Sequence, residues 1–442
     1  MPVTPATGRY HAGHAWLGGD APDADVLIEV TGDRFTAVDV GVRPVPPGAT
    51  RLPGLVLPGL ANAHSHAFHR ALRGRTGGSG TFWSWRERMY ELAGRLDPDS
   101  YHALARATYA EMACAGITCV GEFHYLHHRG DGSPYADQNA MGEALIAAAE
   151  DAGIRITLLD TLYLSSTIDG APLDGVARRF GDGDVDAWSE RTAALTDRRT
   201  ARIGAAVHSV RAVPAAALAA VPSRTTGQPL HVHLSEQPAE NAACQAVHGC
   251  SPTELLHRHG LLGPDTTAVH ATHLSAGDIA LLGGGGTGVC LCPSTERDLA
   301  DGLGPARPLA DAGSPLSVGS DSHAVIDPFE ELRGVELHER LRTGRRGHFT
   351  AGHLLAIGAA AGHAALGWPD AGRIRVGGRA DLVAVRLDSV RTAGVAPGAA
   401  LWAATTADVT HVLVDGRLTV ADGRHVDIDV PTALRTAIGA LT

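Results

Sequence analysis

Lysine is absent from the 442-residue chain, so each of its 37 basic residues is arginine. This excludes a Schiff-base lysine, the lysine of a P-loop and a carboxylated lysine bridging two metals. Cysteine is scarce: the six, at positions 114, 119, 244, 250, 290 and 292, form no C-x-x-C pair. In so long a chain they are expected as reduced thiols and not as a disulfide framework. The P-C-x-x-C pattern is missing as well, which excludes a zinc site of the cytidine-deaminase kind. Positive charge is in deficit, 37 basic residues against 48 acidic, a net charge of −11. Such a chain is a poor match for nucleic acid or an anionic membrane. No apolar run approaches the roughly 18 residues of a membrane span. The first twenty residues carry neither a basic n-region nor an apolar core, so no signal peptide is expected and the cytoplasm is the expected setting.

What is present is globular: 44% of residues are apolar and 19% charged, enough to bury a large core. Both ends look β-rich. Asp25-Val-Leu-Ile-Glu-Val30 and Phe35-Thr-Ala-Val-Asp-Val40 alternate as strands do, and Ala380-Asp-Leu-Val-Ala-Val385 and His411-Val-Leu-Val-Asp-Gly416 read likewise. Between them, eight strand segments are expected, at 60–64, 117–122, 154–160, 202–208, 230–234, 267–270, 288–292 and 316–321. Helices are expected at 100–115, capped by Ser100 and stopped by Gly116, and at 136–152, 214–221, 253–259, 275–282 and 329–342. Eight βα units predict a (β/α)8 barrel. A doubly wound open sheet is the alternative, but no G-x-G-x-x-G follows the first strand. The glycine run 283–286 is expected as a turn, and the irregular stretches 75–80 and 127–135 as candidate lids.

Histidine is plentiful, 24 in all, and clustered. His64 and His66 close the first strand of this series in Asn62-Ala-His-Ser-His66. In an extended chain an H-x-H pair points both imidazoles to one side, which suits a single metal, although a packed pair is the structural alternative. His231 and His233 end the fifth strand, with Glu236 three residues on; His270 ends the sixth and Asp321 the eighth. Catalytic groups of a (β/α)8 barrel collect at the carboxyl ends of its strands. Packing alone would have to place a histidine or aspartate at four such ends by coincidence.

At these residues the chain resembles the amidohydrolase superfamily, over nearly its whole length and including Gly378-Arg-Ala-Asp-Leu-Val383 as the return strand. The resemblance implies a small β-sandwich built from 1–56 and 374–442 around a catalytic barrel at 57–373. It assigns His64, His66, His233 and Asp321 to one divalent metal, Glu236 to proton transfer and His270 to the bound water. Members with two metals use a carboxylated lysine, so a lysine-free chain resembles the mononuclear type used by deaminases. Three histidines, a carboxylate and a water fit Zn2+ best, while imidazole also suits iron or manganese. Zinc lowers the pKa of water from about 15.7 to about 7. The expected nucleophile is therefore metal-bound hydroxide, with Asp321 accepting its proton and Glu236 delivering one to the leaving nitrogen.

Three further runs, Phe82-Trp-Ser-Trp-Arg-Glu-Arg-Met-Tyr90, Gly121-Glu-Phe-His-Tyr-Leu-His-His128 and His208-Ser-Val-Arg211, are similar to the formimidoylglutamate deiminases of histidine breakdown. That similarity implies hydrolysis of N-formimino-L-glutamate to N-formyl-L-glutamate and ammonia, by a homodimer. Arg86, Tyr125, His208 and Arg211 would hold the substrate, because arginine forks bind carboxylates bidentately. His69 stands where glutamine is expected in that family. A neutral imidazole can still donate one hydrogen bond to substrate, and unlike glutamine it gains charge below about pH 6.5. Three rival readings remain. N-formimino-L-aspartate is shorter by one methylene, worth only about 1–3 kcal/mol. A heterocycle such as guanine has no use for two arginines. A non-catalytic barrel would not keep the whole ligand set. His124, His127 and His128 are expected as loop or supporting groups, and Cys290 and Cys292 as buried apolar residues.

Overall fold

The computed structural model describes residues 7–76 and 82–441. The candidate lid at 75–80 falls mostly outside them. The chain opens with β1 (Thr7–Ala15), β2 (Asp23–Thr31), β3 (Arg34–Asp39) and β4 (Thr50–Pro58). Eight strands follow: β5 (Leu60–Ser65), β6 (Ile117–His124), β7 (Arg155–Leu162), β8 (Ala201–Val207), β9 (Leu230–Leu234), β10 (Thr266–His270), β11 (Gly288–Leu291) and β12 (Leu316–Val318). The chain then returns through β13 (Leu382–Val385), β14 (Val409–Val414), β15 (Arg417–Ala421) and β16 (Arg424–His425).

Strands β5 to β12 pair in chain order, all parallel. The first and last meet just beyond β12, where Ser65 bridges Asp321. Asp321 N–H donates to His64 O at 3.0 Å and His66 N–H to Asp321 O at 3.3 Å. The result is a nearly closed barrel with helices between its strands, as the sequence predicts. Strands β6, β7, β9 and β10 are buried along their whole length, so even the alternating Leu230-His-Val-His-Leu234 of β9 has no solvent face. Closure depends on Gly319: a Cβ there would sit 2.7 Å from both Cβ and O of His64. No larger residue lets the chain after the last strand approach His64 so closely.

The remaining strands form one continuous sheet in the order β16-β15-β14-β13-β4-β1-β2-β3. Its seam is the antiparallel pairing of β4 with β13, which joins the two chain ends as expected. Its core is a small cluster including Val26, Ile28, Phe35, Val56, Leu382 and Leu413. A buried charge network fastens this sheet to the barrel. Arg155, at the start of β7, donates to Asp381 and Asp415, and Arg379 also donates to Asp415.

Several boundaries differ from expectation. The second helix spans Pro98–Cys114, capped by Asp97, and Ser100 is the third residue of a capping box with it. Aspartate before proline is the stronger start, because proline has no N–H to leave orphaned. The segment 214–221 gives two short turns, Ala215–Leu218 and Val221–Arg224. Gly283 and Gly284 close the helix Ala276–Gly284 and so are not a free turn. The stretch 127–135 is tied down, since the N–H groups of His127 and His128 both donate to Arg179 O.

Candidate active site

The carboxyl ends of β5, β9 and β12 bring the four predicted ligands together, and β10 adds His270 beside them. His64 Nε2 lies 3.3 Å from Asp321 Oδ1, and His66 Nε2 lies 3.5 Å from the same oxygen. His64 Nε2 and His233 Nε2 are 3.2 Å apart. The tautomers follow from the outer nitrogens. His66 Nδ1 sits 2.9 Å from Phe123 O, and His233 Nδ1 sits 2.9 Å from His208 O. A carbonyl only accepts, so both Nδ1 atoms carry the proton and both Nε2 atoms present bare lone pairs inward. Burial lowers the pKa of all three rings, that of His66 to about 3, so none holds a second proton at neutral pH. Converging lone pairs beside a carboxylate repel one another unless a cation lies among them. The spacing fits one: tetrahedral ligands at about 2.0–2.1 Å from zinc are about 3.3 Å from each other. The donor set therefore fits a divalent metal.

The backbone around this cluster is strained. Ser235, His270, Ala271 and Asp321 all adopt left-handed conformations, with φ of 50°, 67°, 50° and 39°, which cost about 1–3 kcal/mol each and gather at functional sites. His270 lies among three carboxylates. Its Nε2 is 3.8 Å from both Glu236 Oε1 and Asp321 Oδ2, and its Nδ1 is 3.8 Å from Glu296 Oε1. Burial pushes its pKa down, but Glu236, Glu296 and Asp321 together raise it above the ordinary value. Glu296 is anchored by the Cys292 N–H at 2.9 Å.

Above the cluster opens a cavity of about 500 Å³. His66, His233, Glu236, His270 and Asp321 line it, and so do all five predicted substrate residues, His69, Arg86, Tyr125, His208 and Arg211. Arg86 Nε donates to Tyr90 OH at 3.0 Å, and His69 Nε2 lies 3.3 Å from Tyr125 OH. Burial, then Arg211, holds the His208 pKa well below its usual value, so this ring is neutral. Burial raises the Tyr125 hydroxyl well above its usual value, keeping it a donor. Arg211 Nη2 meets Glu236 Oε2 at 3.4 Å.

Sequence reasoning missed Tyr163, Glu240 and Glu296. Tyr163 stands just past the end of β7, so the strand-end rule could have found it. Glu240 lies four residues past Glu236, in the first turn of the helix Pro238–His248, and nothing in the sequence sets it apart. Glu122, fully buried, takes hydrogen bonds from Ser65 Oγ at 2.7 Å and Ala67 N at 2.6 Å, and burial pushes its pKa up to about 8. It braces the turn that carries His66. His124, His127 and Asp160 also cluster, but Arg191 occupies that carboxylate with bonds of 2.8 and 2.9 Å. They lie outside the cavity lining, as supporting groups. Cys290 and Cys292 are buried with Ala63 and Val269 in an apolar cluster.

Comparison with known proteins agrees with this geometry. The profile of the Amidohydrolase family matches residues 55–419. The formimidoylglutamate deiminase of Pseudomonas aeruginosa is 38% identical, across 86% of this chain and 87% of its own. The 5-methylthioadenosine/S-adenosylhomocysteine deaminase of Halobacterium salinarum is 30% identical, across 95% and 94%. A crystal structure of an amidohydrolase from Brucella melitensis superposes with a TM-score of 0.89 at 33% identity, covering 98% of this chain and 99% of that one. The chain belongs to the amidohydrolase family and is a hydrolytic deaminase acting on carbon–nitrogen bonds.

Proposed function

We propose that the enzyme hydrolyses N-formimino-L-glutamate to N-formyl-L-glutamate and ammonia, as one step of histidine degradation in the cytoplasm. The observation that carries this reading is the pair Arg86 and Arg211 on the walls of the cavity that holds Glu236, His270 and Asp321. Two guanidinium forks suit the two carboxylates of this substrate. The similarity to the Pseudomonas deiminase supports it. We read the protein as a homodimer, with residues 57–373 as the catalytic unit and 1–56 with 374–442 as a composite second domain.

His64, His66, His233 and Asp321 would hold the metal, most simply zinc. When bound, it supplies a Lewis acid that makes water acidic enough to ionise near neutral pH. Asp321 takes the water proton, and His270 orients the oxygen toward the formimino carbon. A C–O bond forms as the C=N π pair moves to nitrogen. Glu236 delivers a proton to that nitrogen; the C–N bond breaks with its electron pair leaving on ammonia, an oxygen lone pair closes the formyl C=O, the hydroxyl proton returns to Glu236 and the proton held by Asp321 passes to solvent. Tyr125, His208 and His69 contribute hydrogen bonds to the bound substrate.

The deciding assay is ammonia release from N-formimino-L-glutamate by zinc-loaded protein, with N-formimino-L-aspartate and guanine alongside. Rapid turnover of the glutamate compound alone is expected, and turnover of guanine instead would overturn the reading. Chelation should abolish ammonia release and lower the melting temperature together, because a ligand bound only to the folded state stabilises it; zinc should restore both. Melting unchanged by chelation would remove the metal from these four residues. Arg211→Ala should raise KM by about tenfold or more, since a charged hydrogen bond contributes about 1.5–3 kcal/mol. An unchanged KM would remove Arg211 from substrate binding.

A further inference from the structure

Arg211 is flanked by two carboxylates. Its Nη2 faces Glu236, and its Nε lies 3.8 Å from Glu240 Oε2. Glu240 sits in the first turn of the helix Pro238–His248 and lines the same cavity, yet is only 1% exposed. Neither of its carboxylate oxygens makes a hydrogen bond of ordinary geometry. A buried ionised carboxylate so poorly hydrogen-bonded is costly, so its place opposite a guanidinium calls for a reason. The first helical turn favours negative charge but does not supply one. At 3.8 Å the pair attracts without the two-pronged lock of a bidentate arginine–carboxylate contact. An incoming carboxylate can therefore outcompete it.

We propose that Glu240 is the resident partner of Arg211, holding its guanidinium at the cavity wall until a substrate carboxylate displaces it, and that Glu240 thereby sets how strongly the site selects anionic substrates. The inference rests on the reading of the substrate as a dicarboxylate and adds a positioning residue to it. Among the described residues, the titratable groups that act on Glu240 or feel its charge include Arg211 after β8, Glu236 after β9, His270 at the end of β10, and Cys244 on its own helix. Burial raises its pKa most, Arg211 pulls it down and Glu236 pushes it up, leaving it at about 7. A carboxylate that takes Arg211 removes the counter-charge of Glu240 and adds a negative charge beside it. Binding then draws a proton onto Glu240. The competent form is the protonated one, and apparent affinity falls with its fraction. With a pKa near 7 that fraction is about one in ten at pH 8. Wild-type KM should therefore rise about tenfold from pH 6 to pH 8.

The test compares zinc-loaded wild type with Glu240→Gln and Glu240→Ala. KM and kcat for N-formimino-L-glutamate are measured from pH 6 to 9. Glutarate binding is measured by calorimetry in two buffers of different ionisation enthalpy, and melting temperatures check folding. Wild type should take up a proton with glutarate. Glu240→Gln should bind without that uptake, with a flat KM profile and a KM about tenfold below wild type at pH 8, the change falling on KM and not kcat. Glu240→Ala should flatten the profile likewise. Wild-type binding without proton uptake, or a variant that keeps the wild-type KM profile, overturns the proposal. If wild type releases no ammonia from N-formimino-L-glutamate, the substrate reading falls separately. The glutarate data still decide Glu240: linked binding lost in the variant supports it, and no binding or no linkage overturns it.

Discussion

Replacing Glu236 by glutamine is expected to lower kcat by about 10²–10⁴, the range of general acid–base catalysis, with metal content unchanged. Glu236 follows Ser235, whose left-handed φ of 50° turns the chain out of β9 and into the cavity. Its two oxygens face different partners, Oε1 toward His270 Nε2 at 3.8 Å and Oε2 toward Arg211 Nη2 at 3.4 Å. It is 6% exposed, so bulk water is a poor substitute as a proton source. The amide has the same shape but cannot exchange a proton with substrate nitrogen. None of the close contacts among His64, His66, His233 and Asp321 involves Glu236, so elemental analysis should find as much metal in the variant as in wild type. Activity within a few-fold of wild type would place the proton carrier elsewhere. Loss of metal along with activity would make Glu236 a structural support of the ligand cluster.

The barrel was legible because its strands are buried on both faces. They read as short, mostly apolar segments, and at or just past the ends of β5, β9, β10 and β12 a polar residue reaches the site. Strand β9 matches its expected bounds, and β5, β6, β7 and β10 match to within a residue or two. The candidate site was legible for the same reason, since His64, His233, His270 and Asp321 stand at or just past strand ends, whereas the division into metal ligands and other roles came from the resemblance to the amidohydrolases. The outer sheet was harder. Strand β4 contains Pro53 and Gly54, the latter at a φ of +73°, and β1 contains Gly8 and Gly13. Such residues signal turns locally, and only pairing with β13 and β2 makes these segments strands. Arg211 was legible as a cation but not its bracketing by two carboxylates. Gln237-Pro-Ala-Glu240 looks like the polar first turn of any surface helix. What buries Glu240 is the convergence of the segments after β8 and β9, a consequence of barrel closure that no local pattern encodes.

A second large effect is expected at the opposite end of the barrel. Arg155→Met should destabilise the protein by about 3–5 kcal/mol at pH 8, the cost of breaking a buried ion pair from one side. Arg155 is fully buried. Its guanidinium donates to both oxygens of Asp381 and, at 2.8 Å, to Asp415, and it lies 5.3 Å from the Trp368 ring. Methionine fills much of the volume but leaves Asp381 without its cation, whereas Asp415 keeps Arg379 at 2.9 Å. Burial alone would raise the Asp381 pKa, and Arg155 overrides this and holds it below the usual value. A lowered folded-state pKa contributes stability above the unfolded value near 3.9 that is lost as pH falls through the folded one. Without Arg155 that contribution disappears and burial governs, so the orphaned carboxyl is expected to protonate more readily in the folded variant. The deficit should therefore be largest at pH 8 and shrink toward pH 5, and Asp381→Asn in the same chain should recover part of it. Melting temperatures of metal-loaded proteins at the two pH values check this. An equal loss at both would assign the effect to packing against Trp368 and not to charge. Well below the melting transition, turnover should stay close to wild type, because Arg155 begins β7 while the site lies at the carboxyl ends of the strands.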